Sequence, residues 1–278
     1  MFNNYTYTSE DIPKRIQSIL TKGKQDLDEQ KAFRRILSFI DLTTLEGGDT
    51  EEKAANLARQ ACSYASADKN IPNVAAVCVY PTLVKVVKEN LSDKNIGVAS
   101  VAGAFPAGRS PIEIKVAEVK YAVEQGADDI DMVISRGKFL EGKYGEVQQE
   151  IEAIKAACGQ AHLKVILETG ELKTIQNIRK ASELSILGGG DFIKTSTGKI
   201  PVAATLEAML VMLDTIKEYF ELTGKKIGIK PAGGISDPEV AIDYYLLVKE
   251  VLGQEWLNQQ LFRIGASRLA NKVFDLIK

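Results

Sequence analysis

Eight short apolar runs, separated by segments of helical periodicity, constrain the fold of this chain more than any other feature. The runs are ILSFIDLT (36–43), VAAVCVY (74–80), IGVASVAG (96–103), DDIDMVIS (128–135), LKVILET (163–169), DFIKTST (191–197), KIGIKPA (226–232) and LFRIGAS (261–267). They are rich in Val and Ile and nearly continuous, which is typical of parallel strands buried on both faces.

Apolar residues recur at three- and four-residue steps in the segments between these runs, which predicts helices. The predicted helices are 51–65, 111–126, 145–159, 173–189, 204–224 and 237–253. Eight strand–helix units without a composition shift or a Pro/Gly linker predict one (β/α)₈ TIM barrel, an α/β fold, over residues 34–278. Residues 1–33 predict one or two short polar helices, an N-terminal helical extension outside the barrel.

The alternative architecture is an open, doubly wound sheet, which usually has a glycine-rich turn after its first strand. The corresponding stretch here, DLTTLEGGDT (41–50), contains Gly47 and Gly48 but no GxGxxG pattern. The barrel is therefore favoured.

Charge and composition limit the classes of partner. The 35 basic and 37 acidic residues are well mixed, so we expect no nucleic-acid partner. The N-terminus does not resemble a secretory signal, and no apolar run approaches the roughly 20 residues that span a bilayer, so we expect no membrane partner. Three cysteines without a CxxC pair predict a reduced, cytoplasmic protein.

His162 is the only histidine, which excludes a pair of histidine metal ligands. It precedes a predicted strand, where we expect it to lie at the surface or at the edge of a loop. Metal catalysis is disfavoured for the same reason, although carboxylates alone can hold Mg²⁺. We therefore predict no metal site and no cofactor.

Charged residues occur in five of the eight predicted strands, where a buried parallel sheet is ordinarily aliphatic. They are Asp41, Asp129, Asp131, Lys164, Glu168, Lys194 and Lys230. A purely structural ion network is possible, but such networks stabilise weakly because desolvation offsets most of the attraction. Since active sites of barrels lie at the C-terminal ends of the strands, we favour a functional role.

Lys194 and Lys230 occupy matching positions near the ends of adjacent predicted strands, which lie roughly 5 Å apart. Burial and like charge both disfavour the protonated form, so the pKa of one amine should fall. A neutral lysine attacks an aldehyde or ketone to form a Schiff base. Asp131 is suited to move protons and to hold Lys230 charged, so the three residues together predict the chemistry of a class I aldolase.

Two loops near the end of the chain predict an anion site. KPAGGIS (230–236) and IGASR (264–268) place small residues next to helix starts, where free backbone N–H groups attract a phosphate. Lys199 would add a positive charge. The alternative is that these glycines only form tight turns.

Seven motifs together resemble the deoxyribose-phosphate aldolase family. They are DLTTL (41–45), VCVYP (77–81), DDIDMV (128–133), LKVILETGEL (163–172), DFIKTSTGK (191–199), KPAGGI (230–235) and GASR (265–268). The resemblance covers roughly residues 35 to 270. It implies a (β/α)₈ fold and the reversible cleavage of 2-deoxy-D-ribose 5-phosphate to D-glyceraldehyde 3-phosphate and acetaldehyde, without a metal or organic cofactor.

The resemblance also implies residue roles. Lys194 would form the Schiff base, Lys230 would be the second active-site lysine, and Asp131 would transfer protons. The predicted substrate-binding residues are Asp41, which supports the polar network, and Lys199, Gly233, Gly234 and Ser267, which surround the phosphate. The predicted partner is thus a small phosphorylated sugar, and we expect a homo-oligomer with a dimer favoured.

Two departures from the family pattern bear on these roles. Arg268 stands where some relatives have a second serine, and the last residues, NKVFDLIK, do not contain the C-terminal tyrosine that reaches the site in some members. The alternatives for function are another Schiff-base sugar-phosphate aldolase or transaldolase, or a non-catalytic barrel that binds a phosphorylated metabolite.

Overall fold

The computed structural model describes residues 2–278, in which eight strands form the centre and helices surround them. The strands are β1 (Ile40–Thr43), β2 (Ala76–Val79), β3 (Gly97–Ala102), β4 (Asp129–Val133), β5 (His162–Ile166), β6 (Phe192–Lys194), β7 (Gly228–Lys230) and β8 (Ile264–Ala266). Each lies within one of the eight predicted runs or begins one residue before it.

Six of the helices match the segments that periodicity predicts, whereas four shorter helices, at 84–90, 136–140, 169–172 and 269–277, were not predicted. The helices are α1 (Asp11–Gln25), α2 (Glu29–Phe39), α3 (Glu51–Ala61), α4 (Val84–Asn90), α5 (Ile112–Glu124), α6 (Arg136–Leu140), α7 (Tyr144–Cys158), α8 (Thr169–Leu172), α9 (Ile175–Leu187), α10 (Leu206–Thr223), α11 (Pro238–Leu252) and α12 (Leu269–Ile277). No helix within residues 2–278 combines the length and the apolarity needed to cross a bilayer.

All neighbouring strands pair in parallel, in the order β7-β6-β5-β4-β3-β2-β1-β8. The ring closes between β7 and the chain around β8, where Ile229 bridges Phe262 and Ala232 bridges Gly265. The predicted (β/α)₈ barrel is therefore confirmed, and the open doubly wound alternative is excluded.

The first predicted strand was too long. Residues 36–39 of the run ILSFIDLT end helix α2, and only Ile40–Thr43 form the strand. Helix α2 begins where Asp28 accepts a hydrogen bond from the Lys31 amide. The apolar run therefore combines the buried face of a helix with a buried strand, and the expected boundary after residue 33 falls inside the helix.

Side-chain caps fix where four helices start after the C-terminal ends of strands. Thr50, Thr174, Thr205 and Asp237 each accept a hydrogen bond from a backbone N–H of the first turn. The loops before these helices are thereby held in place, and they surround the C-terminal mouth of the barrel.

Candidate active site

Lys194 and Lys230 lie side by side at the ends of β6 and β7. The parallel register pairs them directly, and both side chains are buried. A single carboxylate oxygen joins them, because Asp131 Oδ2 on β4 lies 2.7 Å from Lys194 Nζ and 2.6 Å from Lys230 Nζ. The structure thus brings together the three residues that sequence reasoning selected for Schiff-base chemistry.

Asp41 on β1 and Arg263, just before β8, extend this cluster. Asp41 Oδ2 lies 2.5 Å from Lys230 Nζ, and Asp41 Oδ1 accepts a 2.7 Å hydrogen bond from Arg263 Nη1. Sequence reasoning missed Arg263, although an arginine inside the apolar run LFRIGAS was an available signal. Arg263 is buried and positions Asp41, which in turn holds Lys230.

A second branch of the network runs down the barrel interior. Lys164 Nζ lies 2.5 Å from Asp129 Oδ2 and 3.7 Å from Asp131 Oδ1. Asp129 begins β4, and its Oδ1 is 3.1 Å from the half-exposed ring of His162. Asp129 and Lys164 therefore lie deeper in the barrel than Asp131 and Lys194.

The surroundings of the two lysines shift their pKa values in opposite directions. Burial is the largest influence on Lys194 and lowers its pKa; the Asp131 carboxylate opposes this and the positive Lys230 reinforces it. Burial alone would also lower the pKa of Lys230, but the Asp131 and Asp41 carboxylates outweigh it and raise that pKa. Burial would raise the pKa of Asp131, but the two lysines outweigh it and hold that pKa below its usual range. Lys194 is therefore the amine that loses its proton more readily.

A cavity of about 550 Å³ opens above this cluster at the C-terminal mouth. Lys194 lines it, whereas Asp131, Lys230 and Asp41 lie beneath its surface. Asp41, predicted as a substrate-binding residue, does not reach the cavity, and both of its oxygens are taken by other side chains. Asp41 contacts Lys230 on the side away from the cavity.

The predicted phosphate residues line the same cavity as Lys194. They are Lys199, Gly233, Gly234 and Ser267, and the basic side chains of Lys53 and Arg268 lie beside them. Gly233 and Gly234 follow β7 with φ of +85° and +80°, a left-handed conformation that favours glycine. Residues of the sequence motifs KPAGGIS and IGASR therefore line one cavity.

Glu168 fixes the loop that follows Lys194. Its buried carboxylate accepts a 3.2 Å hydrogen bond from the Thr197 amide and a 2.5 Å hydrogen bond from the Thr197 hydroxyl. Thr195 ties the same loop to the next one, since its hydroxyl accepts a 3.0 Å bond from the Ala232 amide. Glu168 and Lys164 do not pair with each other, because Lys164 pairs with Asp129.

Cys78, on β2, is fully buried and lies near Lys194 and Lys230. Burial raises the pKa of its thiol to about 11. Because the thiolate is the reactive form of cysteine, we assign Cys78 a packing role in the barrel core, with Leu45, Ala99 and Val101.

Comparison with known proteins places this geometry in a family. Residues 35–242 match the profile of the DeoC/LacD family aldolases. The human deoxyribose-phosphate aldolase is 46% identical over 252 residues, covering 86% of this chain and 78% of the human protein. The mouse deoxyribose-phosphate aldolase is 43% identical over 276 residues, covering 94% of this chain and 86% of the mouse protein.

A solved structure shares the fold. The deoxyribose phosphate aldolase from Aeropyrum pernix, described as having a unique tetrameric structure, superposes with a TM-score of 0.71 at 27% identity, covering 93% of this chain and 96% of the archaeal chain. The matched profile and the two mammalian relatives span the strands that carry Lys194, Lys230 and Asp131. On this sequence and structural similarity, the chain belongs to the DeoC/LacD family of aldolases.

Proposed function

We propose that this protein is a class I aldolase that reversibly cleaves 2-deoxy-D-ribose 5-phosphate to D-glyceraldehyde 3-phosphate and acetaldehyde through a Schiff base on Lys194. The observation that carries the proposal is the sharing of Asp131 Oδ2 by two buried lysines, of which only Lys194 opens onto the cavity. One amine is thus set apart as a nucleophile while the other remains charged.

In the cleavage direction, the neutral Lys194 amine attacks C1 of the open-chain sugar, and the resulting carbinolamine takes up a proton from solvent and loses water to give the protonated imine. Asp131 takes the proton of the C3 hydroxyl, and because Asp131 lies beneath the cavity, a water molecule carries that proton. The C2–C3 bond then breaks, its electron pair moves into the imine to form an enamine, and glyceraldehyde 3-phosphate leaves. Protonation of the enamine at C2 and hydrolysis of the resulting imine release acetaldehyde and restore Lys194.

Lys230 serves this sequence as a fixed positive charge. Its paired carboxylates keep it protonated, so it lowers the pKa of Lys194 and stabilises the ionised form of Asp131. Asp41 and Arg263 hold Lys230 in place from below. Asp41 therefore acts on the substrate only through Lys230.

The substrate phosphate would lie at the other end of the cavity. Lys199 and Ser267 line that end, and the backbone N–H groups around Gly233 and Gly234 are suited to an anion because no Cβ atoms cover them. The arrangement of the two ends matches the substrate in kind: the aldehyde meets Lys194 and the 5-phosphate meets the β7 and β8 loops.

Borohydride reduction in the presence of acetaldehyde tests the proposal. Reduction should leave an ethyl group on Lys194, located by mass spectrometry of peptides, and EDTA should not change the yield. The Lys194→Leu variant should lose the adduct and the turnover while keeping its thermal unfolding midpoint, and the exposed Lys120→Leu variant serves as the matched control. An adduct on another lysine, or turnover that EDTA removes, contradicts the mechanism.

The setting of the enzyme is a separate proposal. We propose that the enzyme is a cytoplasmic homodimer that works in deoxyribonucleotide catabolism and carbohydrate degradation. The tetramer described for the Aeropyrum pernix relative supports an oligomer. Sedimentation analysis distinguishes a dimer from a monomer and from a tetramer.

A further inference from the structure

We propose that Glu46 determines how strongly this site prefers phosphorylated over unphosphorylated aldehydes. Its carboxylate accepts a 2.9 Å hydrogen bond from Lys199 Nζ in the free protein, so the substrate phosphate must displace it. This inference rests on the proposed function, since it takes the Lys199 end of the cavity as the phosphate site.

The ion pair crosses the mouth of the cavity. Glu46 follows β1 and Lys199 follows β6, and the loops after β7 and β8 lie between them in the barrel. Both side chains line the same cavity as Gly233, Gly234 and Ser267. The carboxylate of Glu46 is therefore paired with the Lys199 ammonium group at which a phosphate would bind. An incoming phosphate must share this ammonium group with Glu46 or displace the carboxylate.

The loop that carries Glu46 is fixed, but its side chain is not. Asp49 accepts hydrogen bonds from the Thr44 hydroxyl and the Glu46 amide, both at 2.9 Å. The Glu46 side chain is 70% exposed, and Lys199 is its one hydrogen-bond partner within residues 2–278. The backbone thus holds the carboxylate near Lys199, while the side chain remains free to swing into solvent.

The other basic side chains at this end differ in their pairing. Lys53 lies 2.5 Å from the Asp49 carboxylate, whereas Arg268 makes no ion pair within the described chain. Arg268 is therefore available to attract a phosphate before Glu46 leaves Lys199. A phosphate dianion gains stronger charge-assisted hydrogen bonds from Lys199 than an exposed carboxylate does.

The hydroxyl of an unphosphorylated sugar lacks the charge to displace Glu46. An exposed ion pair changes an equilibrium constant by about five-fold or less. Displacing Glu46 from Lys199 therefore weakens the binding of a phosphorylated substrate only by a factor of this size. Removing the Glu46 charge should thus improve the binding of phosphorylated ligands by a small, measurable factor and leave neutral ligands unaffected.

The test compares Glu46→Gln with Glu52→Gln, which removes the same charge from the start of α3 without touching the cavity. We expect Glu46→Gln to lower KM for 2-deoxyribose 5-phosphate about two- to five-fold, the range set by an exposed ion pair, and to leave KM for 2-deoxyribose unchanged. Calorimetry with glycerol 3-phosphate should show the same decrease in Kd. Glu52→Gln should change none of these values.

A double variant shows whether Lys199 mediates the effect. In a Lys199→Met background, Glu46→Gln should no longer change the Kd of glycerol 3-phosphate. An equal change for both sugars, an unchanged or weaker affinity for glycerol 3-phosphate, or an effect that persists without Lys199 would overturn the inference. Because calorimetry needs no turnover, tighter glycerol 3-phosphate binding in a protein that cleaves no deoxyribose 5-phosphate would reject the proposed function and retain the role of Glu46.

Discussion

Burial and the balance of charge among individual residues explain why the pKa of Lys194 is lowered. Three carboxylates and four basic side chains share the barrel interior; they are Asp41, Asp129 and Asp131, and Lys164, Lys194, Lys230 and Arg263. A buried charge without a partner is expensive, so the interior is most stable when one base gives up its proton. Lys194 is the base whose pKa falls, because it is buried with one carboxylate partner, which it shares with Lys230, while Lys230 has two.

The protonation of Lys194 predicts a pH dependence. Its lowered pKa means that the neutral amine, and with it the rate of adduct formation, should increase as pH rises through that pKa and then level off. Lys230→Met removes the positive neighbour, so the pKa of Lys194 should rise and the increase should move to higher pH. At a pH below both values, the rate should fall about ten-fold for every pH unit by which the curve moves.

The rate of borohydride trapping with acetaldehyde, followed between about pH 5 and pH 10, measures this dependence. Lys120→Met is the control, since it removes an exposed lysine far from the cluster. A curve that keeps its position in Lys230→Met contradicts the argument.

At the scale of loops and helices, Gly233 and Gly234, which follow β7, differ in how closely their surroundings pack. Both have positive φ, but a Cβ on Gly233 would lie 2.6 Å from Ala203 Cβ, whereas a Cβ on Gly234 would meet nothing within 4 Å. Gly233 is therefore a position where the β6 and β7 loops pack closely against each other.

Alanine at the two positions should separate backbone strain from close packing. Gly234→Ala should destabilise the protein by about 1–2 kcal/mol from the left-handed backbone alone. Gly233→Ala should cost about 1–3 kcal/mol more, because its methyl group overlaps Ala203. Unfolding in urea measures both, and equal losses for the two variants would show that the Ala203 contact is unimportant.

The β3–α5 loop depends on a buried ion pair in the helix layer. Lys115 on α5 and Glu150 on α7 are both buried and hydrogen-bonded to each other, and Lys115 Nζ also donates to the Gly108 carbonyl at 2.6 Å. Ser135 Oγ lies 3.0 Å from both side chains. The pair thus fastens the loop that carries Phe105 to the outside of the barrel.

Removing one partner of this pair should be costly. Lys115→Met leaves the Glu150 carboxylate buried without its cation, and we expect a loss of about 3–5 kcal/mol in the free energy of unfolding. The double variant Lys115→Met, Glu150→Leu should recover most of this loss, since no unpaired charge remains. Denaturant unfolding of the single and double variants gives the comparison, and similar losses in both would contradict it.

Considered as a whole molecule, the barrel could be predicted from sequence because each of its strands is a short apolar run. The cluster of buried charges could be predicted where charges interrupt those runs, as at Lys194, Lys230 and Asp131. Its pairings could not, because Arg263 meets Asp41 only when the last strand closes on the first. The first strand was predicted too long because residues 36–39 are too few for their periodicity to distinguish the end of α2 from a strand.

The N-terminal extension packs on the barrel that it precedes. Helix α1 lies against α10 and α11, with Ile12 and Ile16 buried. Tyr5 donates a 2.6 Å hydrogen bond to Asp214 on α10, and Arg15 binds the same carboxylate with two hydrogen bonds of 2.6 and 2.8 Å. The segment therefore packs onto the outer helices of the barrel.

A shortened chain that begins at residue 27 should test this structural role. Each buried isoleucine contributes about 1.5–3 kcal/mol, so the loss of Ile12 and Ile16 should lower the thermal unfolding midpoint on the order of 10 °C. Borohydride trapping on Lys194 should persist below the new midpoint, because no residue of the cavity lies in the deleted segment. Asp214→Ala, which leaves the segment present but removes its polar anchor, should lower the midpoint by less. If the shortened chain unfolds at the original temperature, the contacts of α1 contribute nothing to the barrel, and the exposed surface of α10 and α11 must be stable without them.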